Sequence, residues 1–216
     1  LGLAQTAPLP AEAIALTKVY GTGQRLVGVA LRFGDQADAA PKTLDAYQIE
    51  GRTVTSLTRT DYPFLGAQAS DRGTWIVLTL DPEEAGASLY ARTGRDVTLA
   101  APDISVTLDA GTITSSGSHD QEASQFHPFT YTDPENGITL PYSLYIPEHP
   151  KGVELPLVNF MHDASLTGKP ADWVLKQGLG AVAFVREQRA RPCFVLAPAF
   201  DVQVVNDASE ATGHVD

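Results

Sequence analysis

The chain has 216 residues, enough for one large domain or two modest ones, and 43% of them are apolar, enough for a packed core. A net charge of −11 argues against nucleic acid or an anionic membrane surface as a partner, because both demand a face rich in Lys and Arg. No apolar run approaches the ~20 residues that a membrane-spanning helix requires.

The first eleven residues read as a tail. Gly2 and Ala4 are small residues at the spacing of a signal-peptide cleavage site, which makes secretion or a periplasmic location the expectation. Residues 12–115 then read as short strands separated by turn residues. "AIALTKV" (13–19) stops at Gly21-Thr22-Gly23, "QRLVGVALRF" (24–33) at Gly34-Asp35, and "TWIVLTL" (74–80) at Asp81-Pro82. "AYQIEGRTVTSLTRT" (46–60), "DVTLAA" (96–101) and "ISVTLDAGTIT" (104–114) are β-prone as well. Period-two alternation, many β-branched residues and no amphipathic stretch of helical length predict an all-β immunoglobulin-like sandwich. Trp75 reads as part of its core. Asp61, Asp71, Glu83 and Glu84 are turn residues, too scattered for a calcium loop.

Residues 116–128 are polar and without period, and read as a linker that carries His119, Asp120 and His127. Beyond them the pattern changes. Residues 129–148 predict two strands around Asp133-Pro134-Glu135-Asn136-Gly137, whose Asn-Gly suits a tight turn. "LPLVNFM" (155–161) is apolar enough for a strand covered on both faces. "GLGAVAFVREQRA" (178–190) carries a helical stripe of Leu179, Val182, Ala183 and Val185 that Pro192 ends. "CFVLAPAF" (193–200) is a second buried strand, in which Cys193, the single cysteine, reads as a small hydrophobe. Strand, helix, strand with short connections predicts the start of a parallel α/β sheet.

The run 155–161 stops at His162-Asp163-Ala164-Ser165, a junction open to several readings. As a catalytic dyad the pair fails, because neighbouring residues at a strand end point apart while a dyad needs the carboxylate on the imidazole. As a metal site it lacks partner ligands at HxH, HExxH or CxxC spacing. A loop of small residues at the carboxyl end of a strand can instead aim backbone amides at an oxyanion. A plain polar loop is the remaining reading.

The stretch "DPENGITLPYSLYIPE…LPLVNFMHDAS…QGLGAVAFVREQRARPCFVLAPAF" resembles the first part of the catalytic domain of α/β-hydrolase esterases. It is similar in particular to bacterial esterases related to polyhydroxybutyrate depolymerases and feruloyl esterases, which carry an immunoglobulin-like domain in front. The likeness spans residues 126–216, with "FMHDAS" followed by "QGLGA" as its most specific part. Many relatives have His-Gly where this chain has His162-Asp163. The resemblance implies a sandwich (12–115), a linker (116–128) and the first part of an α/β-hydrolase domain with a mostly parallel sheet (129–216). It implies an oxyanion hole at Ala164 or Asp163, with His162 and Ser165 orienting the loop. Trp173, between that loop and the helix, is a candidate wall of the substrate pocket.

The nucleophile of such enzymes sits in a Gly-x-Ser-x-Gly elbow. Neither "SSGSHD" (115–120) nor "GASLY" (86–90) qualifies, and neither follows a buried strand. The elbow is expected after a helix starting near Ser209, so the Ser, Asp or Glu, and His of the triad are expected beyond residue 216 or on a companion polypeptide. The implied function is a carboxylic ester hydrolase acting by serine acyl transfer on a small or polymeric ester. No metal or organic cofactor is implied, and the sandwich would brace the catalytic domain, shape its entrance or mediate homo-oligomerisation. The alternatives are a non-catalytic binding or structural module, and a peptidase or acyltransferase on the same fold.

Overall fold

The residue run 23–32 is apolar on both sides of its pleat, and it becomes the middle of a sheet. A computed structural model describes residues 7–149 and 151–201; the tail residues Gly2 and Ala4 and the helix start at Ser209 lie outside them. The described chain divides into two units. The first gathers residues up to 18, 25–89 and 100–121; the second gathers 19–24, 90–99 and everything from 122 on.

The first unit is β-sandwich-like. Its main sheet is built from β1 (Glu12–Tyr20), β2 (Gly23–Arg32), β3 (Val54–Thr60) and β4 (Trp75–Leu80). With a late strand, β9 (Gly117–Asp120), they run in the order β3-β4-β2-β1-β9. β2 is buried almost throughout, as a central strand must be, whereas β1 alternates. Leu16, Ala30 and Val77 form one core cluster, onto which Ile14, Leu65 and Trp75 pack. A second hairpin, β7 (Ser105–Leu108) with β8 (Gly111–Thr114), carries Val106 and Leu108 into the interior. The expected long strand over 46–60 shortens to β3, because Ile49 bridges back to Arg52 around Gly51 and turns the chain there.

Part of the expected linker is a strand. β9 pairs in parallel with β1, Ile14 opposite Gly117 and Thr17 opposite Asp120, and the buried Thr17 hydroxyl donates to Asp120 at 3.1 Å. Its polarity suits an edge, where one row of backbone groups faces solvent. Its partner lies about a hundred residues away, so nothing local announces it.

The second unit holds a hairpin, β5 (Tyr90–Thr93) with β6 (Asp96–Leu99), and a four-stranded sheet. The sheet comprises β10 (His127–Thr132), β11 (Thr139–Tyr145), β12 (Leu157–Asn159) and β13 (Phe194–Pro198), in the order β10-β11-β13-β12. Gly137, with φ of +72°, turns β10 into β11, and the Asn136 side chain accepts from the Ile138 amide at 2.8 Å. The expected mostly parallel sheet is mixed among the described residues. β10–β11 and β11–β13 are antiparallel, and β12–β13 is the parallel pair. A hairpin can only pair antiparallel, so parallel pairing falls to the two strands joined by a long crossover.

That crossover contains α1 (Gly180–Arg186), which buries Ala181, Val182 and Val185 against Val195 and Ala197 of β13 in one core cluster. Cys193 is buried in the same cluster. β12 departs from expectation: it is an edge strand three residues long and Leu157 is 59% exposed, so it is not covered on both faces.

One ionic group in the first unit is enclosed by backbone. The Arg52 side chain, 5% exposed, donates to the carbonyls of Leu26 and Asp81, both at 2.9 Å, and pairs with Glu84 at 2.9 Å. Glu84 also accepts from the Thr53 amide at 3.0 Å. Hydrogen bonds from Thr53 and then Arg52 hold the Glu84 carboxyl below its ordinary value of 4.5. A carboxylate with a depressed folded-state pKa contributes stability above its unfolded pKa and loses it as pH falls through the folded one. Thermal melts against pH are therefore expected to fall more steeply in the wild type than in Glu84→Gln once pH drops below about 4.5. Parallel curves would remove Glu84 from the acid response.

Candidate functional site

β12 and β13 run side by side in the same direction, so the loops that leave their carboxyl ends leave the sheet together. Phe160 continues the ladder by donating to the Leu196 carbonyl at 2.8 Å, and the chain then enters His162-Asp163-Ala164-Ser165. Gly168 donates to the Phe200 carbonyl at 3.0 Å and closes the far end of the loop onto the segment after β13.

His162 bridges the two loops. Its Nε2 accepts from the Phe200 backbone amide at 2.8 Å, and its Nδ1 lies 2.7 Å from the Asp163 carbonyl oxygen. An amide can only donate and a carbonyl can only accept, so the pattern assigns the neutral Nδ1–H tautomer. The ring also packs on Phe200, with centroids 5.2 Å apart. Both nitrogens are spent on backbone. The ring thereby joins the loop after β12 to the segment after β13.

Asp163 caps the short 3₁₀ turn Ala164–Leu166. Its carboxylate accepts from the Ser165 amide at 2.8 Å and from the Ser165 hydroxyl. Its carbonyl accepts from the Leu166 amide at 3.2 Å. Burial raises the carboxyl's pKa, but the two Ser165 hydrogen bonds, Arg92 and His162 outweigh it and hold Asp163 below the ordinary aspartate value. Among the described residues, the backbone amides of Asp163 and Ala164 meet no acceptor. The first amides of any helical turn lack an internal partner, and here the cap satisfies Ser165 only. Two adjacent donors thus stand at the end of a parallel strand, in a loop pinned on both sides.

Sequence reading missed the hairpin that borders this loop. Arg92 Nη1 lies 3.6 Å from Asp163 Oδ2, with both side chains about half exposed, so the pair contributes little to stability. Tyr90 hydrogen-bonds Ser165; burial and then the Asp163 charge push its phenol up. Gly23, at φ +107°, lies under Tyr90, where an added Cβ would meet the Tyr90 Cβ at 2.4 Å. Val97 of β6 shares the core cluster with Leu166. No local pattern could reveal these neighbours, since residues 100–161 separate the hairpin from the loop.

The remaining candidates are placed as follows. Trp173, on the turn Ala171–Leu175, packs against the second unit's core with the Lys169 ammonium 5.8 Å from its ring centre. Asp120 is buried in the first unit, His119 borders a surface cleft there, and His127 opens β10 in an exposed position. Glu83 pairs with Arg25 at 2.7 Å.

Comparison with known proteins can now be set beside this geometry. The profile of the esterase Ig-like N-terminal domain matches residues 12–124, more than half of the chain. The chain belongs to this family. A solved structure described as a crystal structure of a thermostable esterase shares its fold, with a TM-score of 0.74 at 24% identity. The similarity covers 88% of this chain and 58% of that one, so the chain spans little more than half of the esterase's length. No curated protein matches. In this esterase-domain family member, the β5–β6 hairpin lies inside the matched residues while belonging to the second unit.

The cap is testable alone. Asp163→Ala is expected to remove about 1 kcal/mol of local stability, read as a several-fold loss of hydrogen-exchange protection at the Ser165 amide. Asp163→Asn should retain most of it, because the amide oxygen still caps. Equal loss in both variants would mean that charge, not capping, holds the turn.

Proposed function

We infer that this chain is the N-terminal portion of a carboxylic ester hydrolase of the α/β-hydrolase type that works by serine acyl transfer. The serine, its histidine and its acid belong to a further segment or to a companion polypeptide. The observation that carries this reading is the pair of unpartnered amides at Asp163 and Ala164, in a loop that His162 ties to the neighbouring strand end. Family membership supports an esterase context.

In this reading the serine Oγ attacks the ester carbonyl, and the developing oxyanion accepts hydrogen bonds from the Ala164 amide and, beside it, the Asp163 amide. The alcohol leaves, and water then attacks the acyl-enzyme through a second tetrahedral intermediate in the same hole. Preorganisation is the contribution of this chain's residues. The His162 bridge and the Asp163 cap fix the amides before substrate arrives, so little reorganisation remains at the moment of reaction. His162 takes no proton in this scheme, because both of its nitrogens are engaged. The exposed face of the second sheet fits a companion segment. A groove of about 520 Å3, bordered by Tyr131, Leu140, Leu157 and Leu196, lies over it, and such apolar surface is usually covered.

Two measurements test the reading. Denaturing intact-mass analysis of purified active material is expected to show either a chain longer than 216 residues or a second polypeptide, with residues 1–216 alone inert toward p-nitrophenyl acetate. Turnover by the mass-verified 216-residue chain would sink the proposal. In the active material, Ala164→Pro deletes one amide at the first position of a turn, where proline fits, and the extended Asp163 before it tolerates proline. The expected loss is about 10²–10³-fold in kcat with KM nearly unchanged. An unchanged kcat would exclude the Ala164 amide as a donor.

A further inference from the structure

The first unit carries an aromatic surface that its own core does not use. Tyr62 is 61% exposed, the most exposed large apolar side chain among that unit's described residues. Its ring stacks on Phe64, with centroids 5.7 Å apart and planes inclined by only 19°. Phe64 in turn lies 6.3 Å from the His119 ring. Phe64 and His119 line a cleft of about 300 Å3, together with Glu12, Ile14, Pro63 and the segment Ser116–Ser118, and Tyr62 stacks on its Phe64 wall.

The platform is held in place. Leu65 packs on the core cluster of Leu16, Ala30 and Val77. Thr60 Oγ1 donates to the Tyr62 carbonyl at 2.6 Å, and the Ser70 hydroxyl donates to Asp61 at 3.1 Å. Rings fixed by their loop lose little freedom when something lies on them.

The polar lining has capacity to spare. The Ser118 hydroxyl, the His119 ring nitrogens and the Tyr62 hydroxyl make no hydrogen bond among the described residues. The Ser116 hydroxyl is directed to the Ala13 carbonyl at 3.4 Å and keeps its lone pairs. Glu12, which borders the cleft, pairs with Arg32 at 3.1 Å, so its charge is partly compensated.

This combination selects a ligand class. Glu12 borders the cleft and no Lys or Arg does, which disfavours phosphate and carboxylate ligands. A purely apolar ligand would strand the hydroxyl, imidazole and carboxylate groups. A pyranose ring offers what fits both halves: a C–H face to lie on an aromatic plane, and equatorial hydroxyls that both donate and accept. We propose that the Tyr62–Phe64 platform and the Ser116–His119 cleft form a binding site for a neutral saccharide. Tyr62 and Phe64 stack the sugar, and Ser118, His119 and Glu12 take its hydroxyls. The site would anchor the chain to a polysaccharide. It stands on residues of the first unit alone and does not depend on the oxyanion loop.

The test uses the full chain and two defined probes, xylohexaose and cellohexaose, followed by amide chemical shifts in heteronuclear NMR. Saturable shifts confined to residues 61–66 and 116–119 are expected with at least one hexasaccharide, at millimolar affinity. Tyr62→Ala should weaken binding about tenfold, the scale of one aromatic stacking contact, while Tyr62→Trp retains it. Because Tyr62 is exposed, both variants should melt with the wild type. His119→Ala is a second variant on the polar side, also expected to weaken binding. The proposal is overturned if neither hexasaccharide shifts these amides, or if Tyr62→Ala binds as tightly as the wild type. Shifts with a hexalysine peptide and none with sugar would overturn it in favour of a cationic partner.

Discussion

Because β12 and β13 are parallel neighbours, the chain leaves the sheet twice at the same end, and everything at the candidate site depends on that. Parallel pairing puts the loop 160–166 beside the segment 199–201, close enough for one imidazole to hydrogen-bond backbone from both. An antiparallel pair would send the two loops to opposite ends and leave His162 without Phe200. The crossover that allows parallel pairing also supplies α1 and the turn bearing Trp173, whose apolar sides seal β13 from below with Val182, Val185 and Val174.

Around that constraint, the polar groups of the loop are engaged unevenly. Asp163 spends its carboxylate on Ser165 and its carbonyl on Leu166 and His162, and the loop's remaining amides are left over. The two Ser165 hydrogen bonds, helped by Arg92 from a separate hairpin and by His162, outweigh burial, so Asp163 keeps its charge and the turn keeps its cap. The first unit differs at Arg52, whose guanidinium is held by the carbonyls of Leu26 and Asp81 and by Glu84. Its spare capacity appears instead at the surface, beside Tyr62 and His119.

Much of the strand layout was legible because it is written in local alternation. The runs at 13–19, 24–33, 74–80 and 96–101 each became strand within a residue or two, 104–114 folded into the hairpin β7–β8 rather than one strand, and the Asn136-Gly137 turn formed as its φ preference dictates. The helix over 180–186 was legible from its stripe, though shorter than the pattern because Gln188 folds back on Phe184 and Cys193. The reading failed where pairing is remote or burial is lopsided. Residues 117–120 looked like linker because an edge strand needs no apolar alternation, and 155–161 looked doubly buried because composition cannot tell an edge strand from a central one.

The sequence by itself determined most of the first unit's strands and the turns between them, and that a small polar loop follows an apolar strand at His162. These are consequences of φ/ψ preference and side-chain period, which act over a few residues. Only the tertiary structure decided that β12 and β13 lie parallel, that both His162 nitrogens are consumed by backbone, and that Arg92 and Tyr90 stand beside Asp163. It alone brought Ser118 and His119 next to the Tyr62–Phe64 stack. Each of those is a contact between segments tens of residues apart, set by sheet order and packing, and no local preference carries that information.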